Sequence, residues 1–357
     1  MIKIAFYFFI SLFSTPIWAV NVTFILPDYK EHQFWYLVAD AAKSAANDSE
    51  VSLTITYIDN NRFAFNDAVI KALSSNKRPE YIVFRPFQGR MTKMFNLLEE
   101  KQVKFITLEK VATDTEAEAI GEPLEKYQYW LGEIFYNQTS GSELLTNALI
   151  HEHKLKQPNQ ITYITGLSGS YDAVTKMRND GLRNSQSENK NTYINQIFTM
   201  NFDSKLVKGR LSNIEQRYPN TDIFWCASAQ MAVEVVKQLN EFNLINKQHI
   251  ITGGFDFIPS ALDMVKKGEI TALVGGHFLM GAKAVIQIMN HHKGMTAFKQ
   301  INRYELVTIN NVIKYQEFIS NKKWHHVDFS HYLFDPKNSD KSKEVNVSNL
   351  IKSLENK

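Results

Sequence analysis

Along most of this chain, short apolar runs rich in β-branched residues alternate with longer segments in which apolar residues recur every three or four positions. Apolar runs of about four to eight residues are typical of buried strands, and the longer periodic segments are typical of helices. The predicted strands are 22–26, 51–58, 81–84, 103–108, 161–165, 192–199, 223–227, 249–253 and 271–274. The predicted helices are 35–46, 64–74, 90–101, 140–151, 171–185, 204–217, 230–242, 259–267 and 279–291. This alternation predicts an α/β fold with parallel sheets covered by helices.

The number of predicted strands exceeds the about five or six that a typical sheet holds, which favours two lobes over one. A polar, acidic stretch at residues 114–129 separates two series of strands and helices and marks the expected break. After Lys299 the pattern loosens, and residues 336–357 are predicted to form a polar tail.

The first 19 residues are typical of a secretory signal. Lys3 is the only charged residue there, an apolar run at 4–13 follows it, and Ala19 is a small residue suited to cleavage. The run is shorter than the about 20 residues that span a bilayer. We therefore expect a cleavable signal peptide at 1–19 and a mature chain that is exported.

Composition excludes several classes of partner and site. The formal charge is +3 over 357 residues, which gives no electrostatic case for binding nucleic acid or a membrane surface. Cys226 is the single cysteine, so neither an internal disulfide nor a cysteine-based metal cluster can form. We expect no cofactor, no bound metal and a monomer when the chain is free.

The sequence offers no convincing catalytic motif. It contains no Gly-x-x-x-x-Gly-Lys-Ser/Thr, and no Gly-x-Gly-x-x-Gly follows the first predicted strand. The segment Gly166–Ser170 lacks the final glycine of a nucleophile elbow. No catalytic residues are predicted, although an exported enzyme stays open as a hypothesis of a different class.

Three successive aromatic residues, Phe34, Trp35 and Tyr36, lie where the first predicted strand leads into the first helix. Turns at such points favour Gly, Asn, Asp or Ser. The carboxyl ends of strands are also where open α/β sheets bind ligands. Phe34 and Trp35 therefore either form one wall of a small-molecule site or pack the start of the helix into the core.

Charged, polar and aromatic residues recur at the ends of later strands. Carboxylates and arginine form charge-assisted hydrogen bonds with hydroxyl groups, and flat rings pack against the C–H faces of a sugar. The residues concerned are Glu109, Lys110, Arg178, Phe202, Ser228, Asp256 and Gly275. Simpler alternatives remain open. Asp256 could cap the next helix, Arg178 could be solvated, and Glu109 with Lys110 could be loop charge.

These positions, in this order, resemble the type I periplasmic sugar-binding family, of which ribose-binding proteins are typical. Gln33-Phe34-Trp35 resembles that family's Asn-x-Phe-Phe entry loop, with His32 at the position of the asparagine. Glu109-Lys110 is similar to an Asp-Arg pair that follows the family's fourth strand.

Four further similarities follow from residue 137 onward. Asn137-Gln-Thr-Ser-Gly141 resembles an Asp-Asn-x-x-Gly that opens the second lobe, and Arg178 matches the arginine of an Arg-x-x-Gly-Phe helix. Phe202 matches a ligand-stacking phenylalanine, and Gly254-Phe-Asp256 matches a Gly-Phe-Asp motif.

Two positions depart from the family pattern. Ser228 stands where many members have the asparagine of an Asn-Asp pair, and Gly275 replaces a glutamine that contacts the sugar. The loss of these amides leaves room for a ligand that is larger than ribose or different from it.

The resemblance implies two doubly wound parallel-sheet lobes joined by three crossovers. Residues 20–128 with 276–306 would form the N-terminal lobe, and 129–275 with 307–335 the C-terminal lobe. A sugar or sugar-like ligand would bind between them and be enclosed by hinge closure. The implied ligand-binding residues are His32, Phe34, Trp35, Glu109, Lys110, Asn137, Arg178, Phe202, Ser228, Asp256 and Gly275.

The chain also resembles the signalling branch of this family, which includes autoinducer-2 receptors of the LuxP type and sensor accessory proteins of the TorT type. Segments 219–226 and 304–308 carry that similarity. Two kinds of membrane partner are therefore expected. One is the permease of an ABC importer that takes up a carbohydrate, and the other is a sensor kinase or cyclase to which the ligand is reported.

Overall fold

The structure is a computed structural model and describes residues 19–28, 34–59, 61–241, 250–295, 300–334 and 344–356. In these residues the chain forms two lobes, each built on a six-stranded sheet flanked by helices. The predicted fold class of two doubly wound α/β lobes is confirmed. No helix within the described ranges is long and apolar enough to cross a membrane.

All six strands of the first sheet are parallel. They are β1 (Val20–Asp28), β2 (Val51–Asp59), β3 (Tyr81–Phe84), β4 (Lys104–Leu108), β5 (Trp130–Tyr136) and β11 (Gln300–Asn302), in the order β11-β5-β4-β3-β1-β2. Successive residues of β1 face opposite sides of the sheet, since Phe24 and Leu26 join one hydrophobic cluster and Ile25 joins the other. Burial on both faces explains why the inner strands β3 and β4 are almost continuously apolar, whereas the edge strand β2 is only partly buried.

Helices cover both faces of this sheet. On one side α1 (Phe34–Asn47) packs against α10 (Met280–His292). The other side is covered by α2 (Arg62–Leu73), α3 (Met91–Glu100) and α4 (Asp114–Ile120). Asn61 and Thr113 begin α2 and α4 by accepting hydrogen bonds from the first free N–H groups.

The second sheet has the same design with one antiparallel edge strand. Its strands are β6 (Thr162–Ser168), β7 (Thr192–Thr199), β8 (Ile223–Cys226), β9 (Ile251–Phe255), β10 (Ala272–Gly275) and β12 (Glu305–Thr308), in the order β12-β10-β9-β8-β6-β7. Only the pairing of β12 with β10 is antiparallel. The helices of this lobe are α5 (Gln138–Lys156), α6 (Ala173–Glu188), α7 (Ser204–Arg217), α8 (Ala229–Glu241), α9 (Pro259–Lys266) and α11 (Val312–Ser320).

Three connections carry the chain between the sheets, at residues 136–138, 275–280 and 302–305. They are hydrogen-bonded to one another. The Asn137 N–H donates to the Asn302 carbonyl at 2.9 Å, and the Tyr136 hydroxyl donates to the Gly276 carbonyl at 3.2 Å. The crossovers therefore form one connected block between the lobes.

Sheet membership differs from the sequence prediction at the first crossover. The sequence places residues from 129 onward in the second lobe, whereas β5 lies in the first sheet between β4 and β11. Every residue of β5 is buried, including Gly132 and Glu133. These two residues interrupt the apolar pattern, so the sequence does not predict a strand here. At the third crossover, β12 already belongs to the second sheet from Glu305.

After α11 the chain returns to the first lobe. Trp324 is fully buried, and its Nε1 donates to the Asp40 carboxylate on α1 at 3.2 Å. The Ser44 hydroxyl on α1 donates to the Trp324 carbonyl at 3.1 Å, and the Phe329 N–H donates to Asp48 at 2.9 Å. Residues 312–334 therefore contact both lobes.

The predicted polar tail contains a packed helix, α12 (Val347–Glu355). Its first N–H groups, those of Val347 and Ser348, each donate to the Glu305 carboxylate at 2.9 Å. Val347 and Leu350 are buried. Glu305 satisfies N–H groups that a helix start leaves free, so this end of the chain is held to the third crossover.

Candidate functional site

A cavity lies between the two lobes, at the carboxyl ends of their strands. It offers about 70 Å³ in which the centre of a water-sized molecule fits. One water needs roughly 10–15 Å³ of such space, so the cavity suits one compact molecule. Its lining residues are Phe34, Trp35, Arg85, Glu109, Val174, Arg178, Phe202, Ser228, Asp256 and His277.

Three lining residues have left-handed backbone conformations although none is glycine. The φ angles are +64° at Glu109, +60° at Phe202 and +92° at Asp256. Glu109 and Asp256 directly follow β4 and β9, and Phe202 follows β7 after a short turn. Such conformations cost roughly 1–3 kcal/mol each and concentrate at ligand sites. The strain accompanies the placement of these three side chains at the cavity.

The wall from the first lobe is aromatic. Phe34 and Trp35 meet edge to face with ring centroids 5.1 Å apart, and Phe34 packs against the His277 ring at 4.4 Å. Trp35 is only 5% exposed and belongs to the core cluster while it also lines the cavity. Trp35 therefore packs the start of α1 into the core and also lines the cavity, and its contact with a small molecule stays a prediction.

Arg178 is buried at the base of the second lobe. Its Nε donates to the Gln138 side chain at 2.8 Å, and its two terminal nitrogens donate to the Ala227 carbonyl at 2.6 Å and the Tyr304 hydroxyl at 3.2 Å. The guanidinium also lies 3.9 Å from the Phe255 ring centroid. The alternative of a solvated arginine does not apply, because these contacts fix the plane of the guanidinium.

Tyr304 supports this arrangement from the third crossover. Its hydroxyl donates to the same Gln138 oxygen at 2.7 Å. Burial raises the pKa of the Tyr304 hydroxyl, with the Arg178 charge as the strongest opposing influence. At neutral pH the hydroxyl therefore keeps its proton and remains a donor.

An ion-pair cluster joins the lobes at the cavity. The Arg85 Nε donates to Glu109 at 2.6 Å within the first lobe, and a terminal nitrogen donates to Asp172 of the second lobe at 3.3 Å. Asp172 uses its other oxygen to cap α6, accepting from the Thr175 N–H at 2.8 Å. Glu109 is thus part of a buried ion pair and not simple loop charge.

Asp256 pairs with a histidine from the second crossover. The His277 Nε2 lies 3.0 Å from an Asp256 carboxylate oxygen. His277 is 2% exposed, and its Nδ1 has no hydrogen-bond partner within the described part of the chain. Asp256 does not cap α9, since Ile258 occupies that position.

The structure brings together seven of the residues predicted from sequence: Phe34, Trp35, Glu109, Arg178, Phe202, Ser228 and Asp256. Three others lie elsewhere. Lys110 lines an adjoining groove, Asn137 caps α5 by accepting from the Ser140 N–H at 3.0 Å, and Gly275 packs under Phe257. A Cβ at Gly275 would lie 2.6 Å from the Phe257 ring, so no larger side chain fits. His32 lies outside the described residues.

Sequence reasoning missed Arg85 and His277. Arg85 immediately follows β3, so the strand-end rule that found Glu109 applies to it equally. His277 follows Gly276 in a crossover, and no local pattern shows that this turn passes beneath Phe34. The described residues contain no group of three or more His, Cys, Asp or Glu side chains able to hold a metal ion.

Comparison with known proteins identifies the fold and the family. A family model of the periplasmic binding protein domain matches residues 22–295. A search among curated protein sequences gives no significant match.

Several solved structures share the fold. One is a periplasmic sugar-binding protein from Pseudomonas fluorescens, with a TM-score of 0.77 and 17% identity, covering 88% of this chain and 94% of that chain. Another is an ABC transporter solute-binding protein from Actinobacillus succinogenes with bound D-allose (TM-score 0.71, 15% identity, 82% and 99% covered). A third, from Bacillus halodurans with bound myo-inositol, has a TM-score of 0.70 at 17% identity and covers 84% and 97%.

The match to the family model spans most of the chain and includes both sheets except their last strands. The two lobes and three crossovers are the architecture expected from the sequence. This chain belongs to the periplasmic binding protein domain family and has its type I fold.

Proposed function

We propose that this protein is a periplasmic solute-binding protein that encloses a small neutral carbohydrate between its lobes for delivery to an ABC importer. The observation that carries the proposal is one cavity with aromatic walls from the first lobe and buried charged groups from both lobes. A sugar needs both, because its hydroxyl groups require directional partners and its C–H faces pack on rings.

The charge balance of the cavity favours a neutral ligand. The Arg85 charge is opposed by Glu109 and Asp172, and Asp256 is paired with His277. Arg178, which lines the same space, offers donors to hydroxyl or ring oxygens while Asp256 offers acceptors. A polyol can accept hydrogen bonds from the Arg178 guanidinium and donate them to the Asp256 carboxylate. A strongly charged ligand would be repelled by one of these two groups.

The size of the cavity and the ligands of solved structures with the same fold also favour a small carbohydrate. The space suits one compact molecule, and neighbours of the same fold were solved with D-allose, myo-inositol and D-arabinose. Enclosure between two lobes supports a mechanism in which ligand shifts an open–closed equilibrium and a membrane partner recognises the closed form.

The test is a binding screen on the mature chain after unfolding and refolding to remove any ligand carried through purification. Monosaccharides, among them D-allose and D-arabinose, and the cyclic polyol myo-inositol are each added before a thermal melt. Autoinducer-2 and an amine oxide are further probes. A ligand at 100 times its Kd stabilises the folded form by about 2.7 kcal/mol, so a melting-point rise of roughly 5 °C is expected.

Two variants examine the cavity directly. Arg178→Ala removes the buried guanidinium and should abolish the rise, while Arg210→Ala, an exposed arginine on α7, should retain it. If no sugar stabilises the unmodified chain, the carbohydrate proposal is wrong. Stimulation of a reconstituted importer ATPase, or of a membrane sensor kinase, then distinguishes transport from signalling.

A further inference from the structure

A second space adjoins the cavity at the mouth of the cleft. This passage offers about 410 Å³ in which the centre of a water-sized molecule fits, and it shares Arg85 and Phe202 with the cavity. Its lining also includes Phe87, Tyr171 and Asp172. It continues into a groove of about 590 Å³, which we name the outer groove. The outer groove is lined by both lobes and includes Lys110, Asp114, Tyr171, Lys176 and Arg183.

The outer groove is present although the lobes already touch. Arg85 and Asp172 bridge the lobes at 3.3 Å beside the passage. Val174 of the second lobe packs into the hydrophobic cluster of the first lobe and is 3% exposed. The space is therefore not produced by separated lobes, and a molecule in it would contact both of them.

Two side chains of the outer groove are suited to a ligand. Tyr171 is 91% exposed on the loop after β6, and its ring stacks on no other ring in the part of the chain described here. Lys110 is half-buried, and its ammonium lies 5.8 Å from the Phe135 ring with no carboxylate of the described residues within 4 Å. A flat ring on one lobe thus faces a space that also contains a donor from the other.

We propose that the outer groove is a second saccharide subsite, and that the preferred ligand is a disaccharide or glycoside. Its first ring would occupy the cavity, its linkage would pass beside Arg85 and Asp172, and its second ring would stack on Tyr171. This inference rests on the proposed carbohydrate function and extends it. It also accounts for Lys110, a residue that the family resemblance implies for binding but that lies outside the cavity.

The experiment compares monosaccharides with disaccharides that contain them, by titration calorimetry on the refolded mature chain. The probes are D-glucose and D-galactose against maltose, cellobiose, lactose and melibiose. We expect at least one disaccharide to bind ten times more tightly than either of its component sugars. Stacking on one ring accounts for a gain of roughly this size.

Variants separate the two subsites. Tyr171→Ala should raise the Kd of that disaccharide by roughly three- to tenfold and leave the Kd of the monosaccharide unchanged. Lys110→Gln, a change on the first lobe, should also weaken binding of the same disaccharide. The control is Tyr193→Ala, a half-exposed tyrosine on β7 of the same lobe that lines neither space, and it should alter neither Kd.

Either of two results overturns the subsite while leaving the carbohydrate function intact. One is that monosaccharides bind and no disaccharide binds better, in which case the outer groove is only an entrance. The other is that Tyr171→Ala affects both sizes of ligand equally. If no saccharide of either size binds, the proposed function itself fails, and the subsite fails with it.

Discussion

Asp172→Asn is the substitution that isolates the contact between the lobes. One carboxylate oxygen of Asp172 caps α6 and the other accepts from Arg85 across the cleft at 3.3 Å. Asparagine caps helices as well as aspartate does, so its oxygen can keep the Thr175 N–H. Its amide nitrogen would then face the Arg85 guanidinium, donor against donor. The change therefore removes the bridge and leaves the helix start in place.

The magnitude follows from distance and surroundings. Two unit charges at 3.3 Å attract by about 5 kcal/mol at an effective dielectric of 20. Most of this is offset, because both side chains lose water and because Arg85 keeps Glu109 at 2.6 Å. The side chains of Arg85 and Asp172 are 13% and 16% exposed, so a net loss of about 1 kcal/mol is expected. That corresponds to a roughly fivefold shift toward open lobes.

The assay measures sugar affinity by calorimetry and the radius of gyration of the free chain by small-angle scattering. If the closed form binds ligand, the Kd of Asp172→Asn should rise by up to about fivefold and the free chain should expand. The control is Asp203→Asn, which changes the same residue type at the cap of α7, where Asp203 accepts from the Lys205 N–H at 2.8 Å. Unchanged Kd and radius in Asp172→Asn, or equal changes in both variants, would refute the reasoning.

Three further predictions concern single buried positions. In Gly169→Ala the new Cβ would lie 2.1 Å from the Phe202 ring, so the ring must leave the cavity wall; sugar affinity should fall about tenfold by calorimetry, and an unchanged Kd would contradict this. Burial lowers the pKa of Lys283 from its usual 10.5 to about 8, so the unfolded chain binds more protons above pH 8 and this group adds stability as pH rises toward 10. Lys283→Met should therefore flatten the rise in urea midpoint between about pH 7.5 and 9.5, and equal slopes in both proteins would disprove it. Burial raises the pKa of the Cys226 thiol to about 12, so iodoacetamide should label it only after unfolding, as mass spectrometry would show.

The strand-end rule predicted most of the cavity because it needs only topology. The carboxyl ends of parallel strands meet at one edge of each sheet, so Glu109, Phe202 and Asp256 converge once the strands are identified. The rule fails at the next residue. Glu109 and Lys110 are adjacent, yet one lies in the cavity and the other in the outer groove, because the left-handed conformation of Glu109 turns the chain after β4.

The errors in the fold occur where contacts between separated parts of the chain decide the structure. β5 contains Gly132 and Glu133, which break the apolar run, and its burial comes from pairing with β4 and β11, distant parts of the chain. The helix α12 shows only a weak apolar stripe in sequence. It is fixed by Glu305 through the N–H groups of Val347 and Ser348, a contact between residues more than forty positions apart. Sequence periodicity carries no information on such a contact.

The crossovers do more than connect the lobes, because each supplies a side chain that contacts the cavity lining. Gln138 is the last residue of the first and Tyr304 belongs to the third, and both hold the Arg178 guanidinium. His277 belongs to the second, where it pairs with Asp256 and packs on Phe34. Domain opening must be absorbed by the backbone of these same segments. We expect a ligand that bonds to both Arg178 and Asp256 to restrict these segments as well, and so to favour the closed form from the base of the cleft.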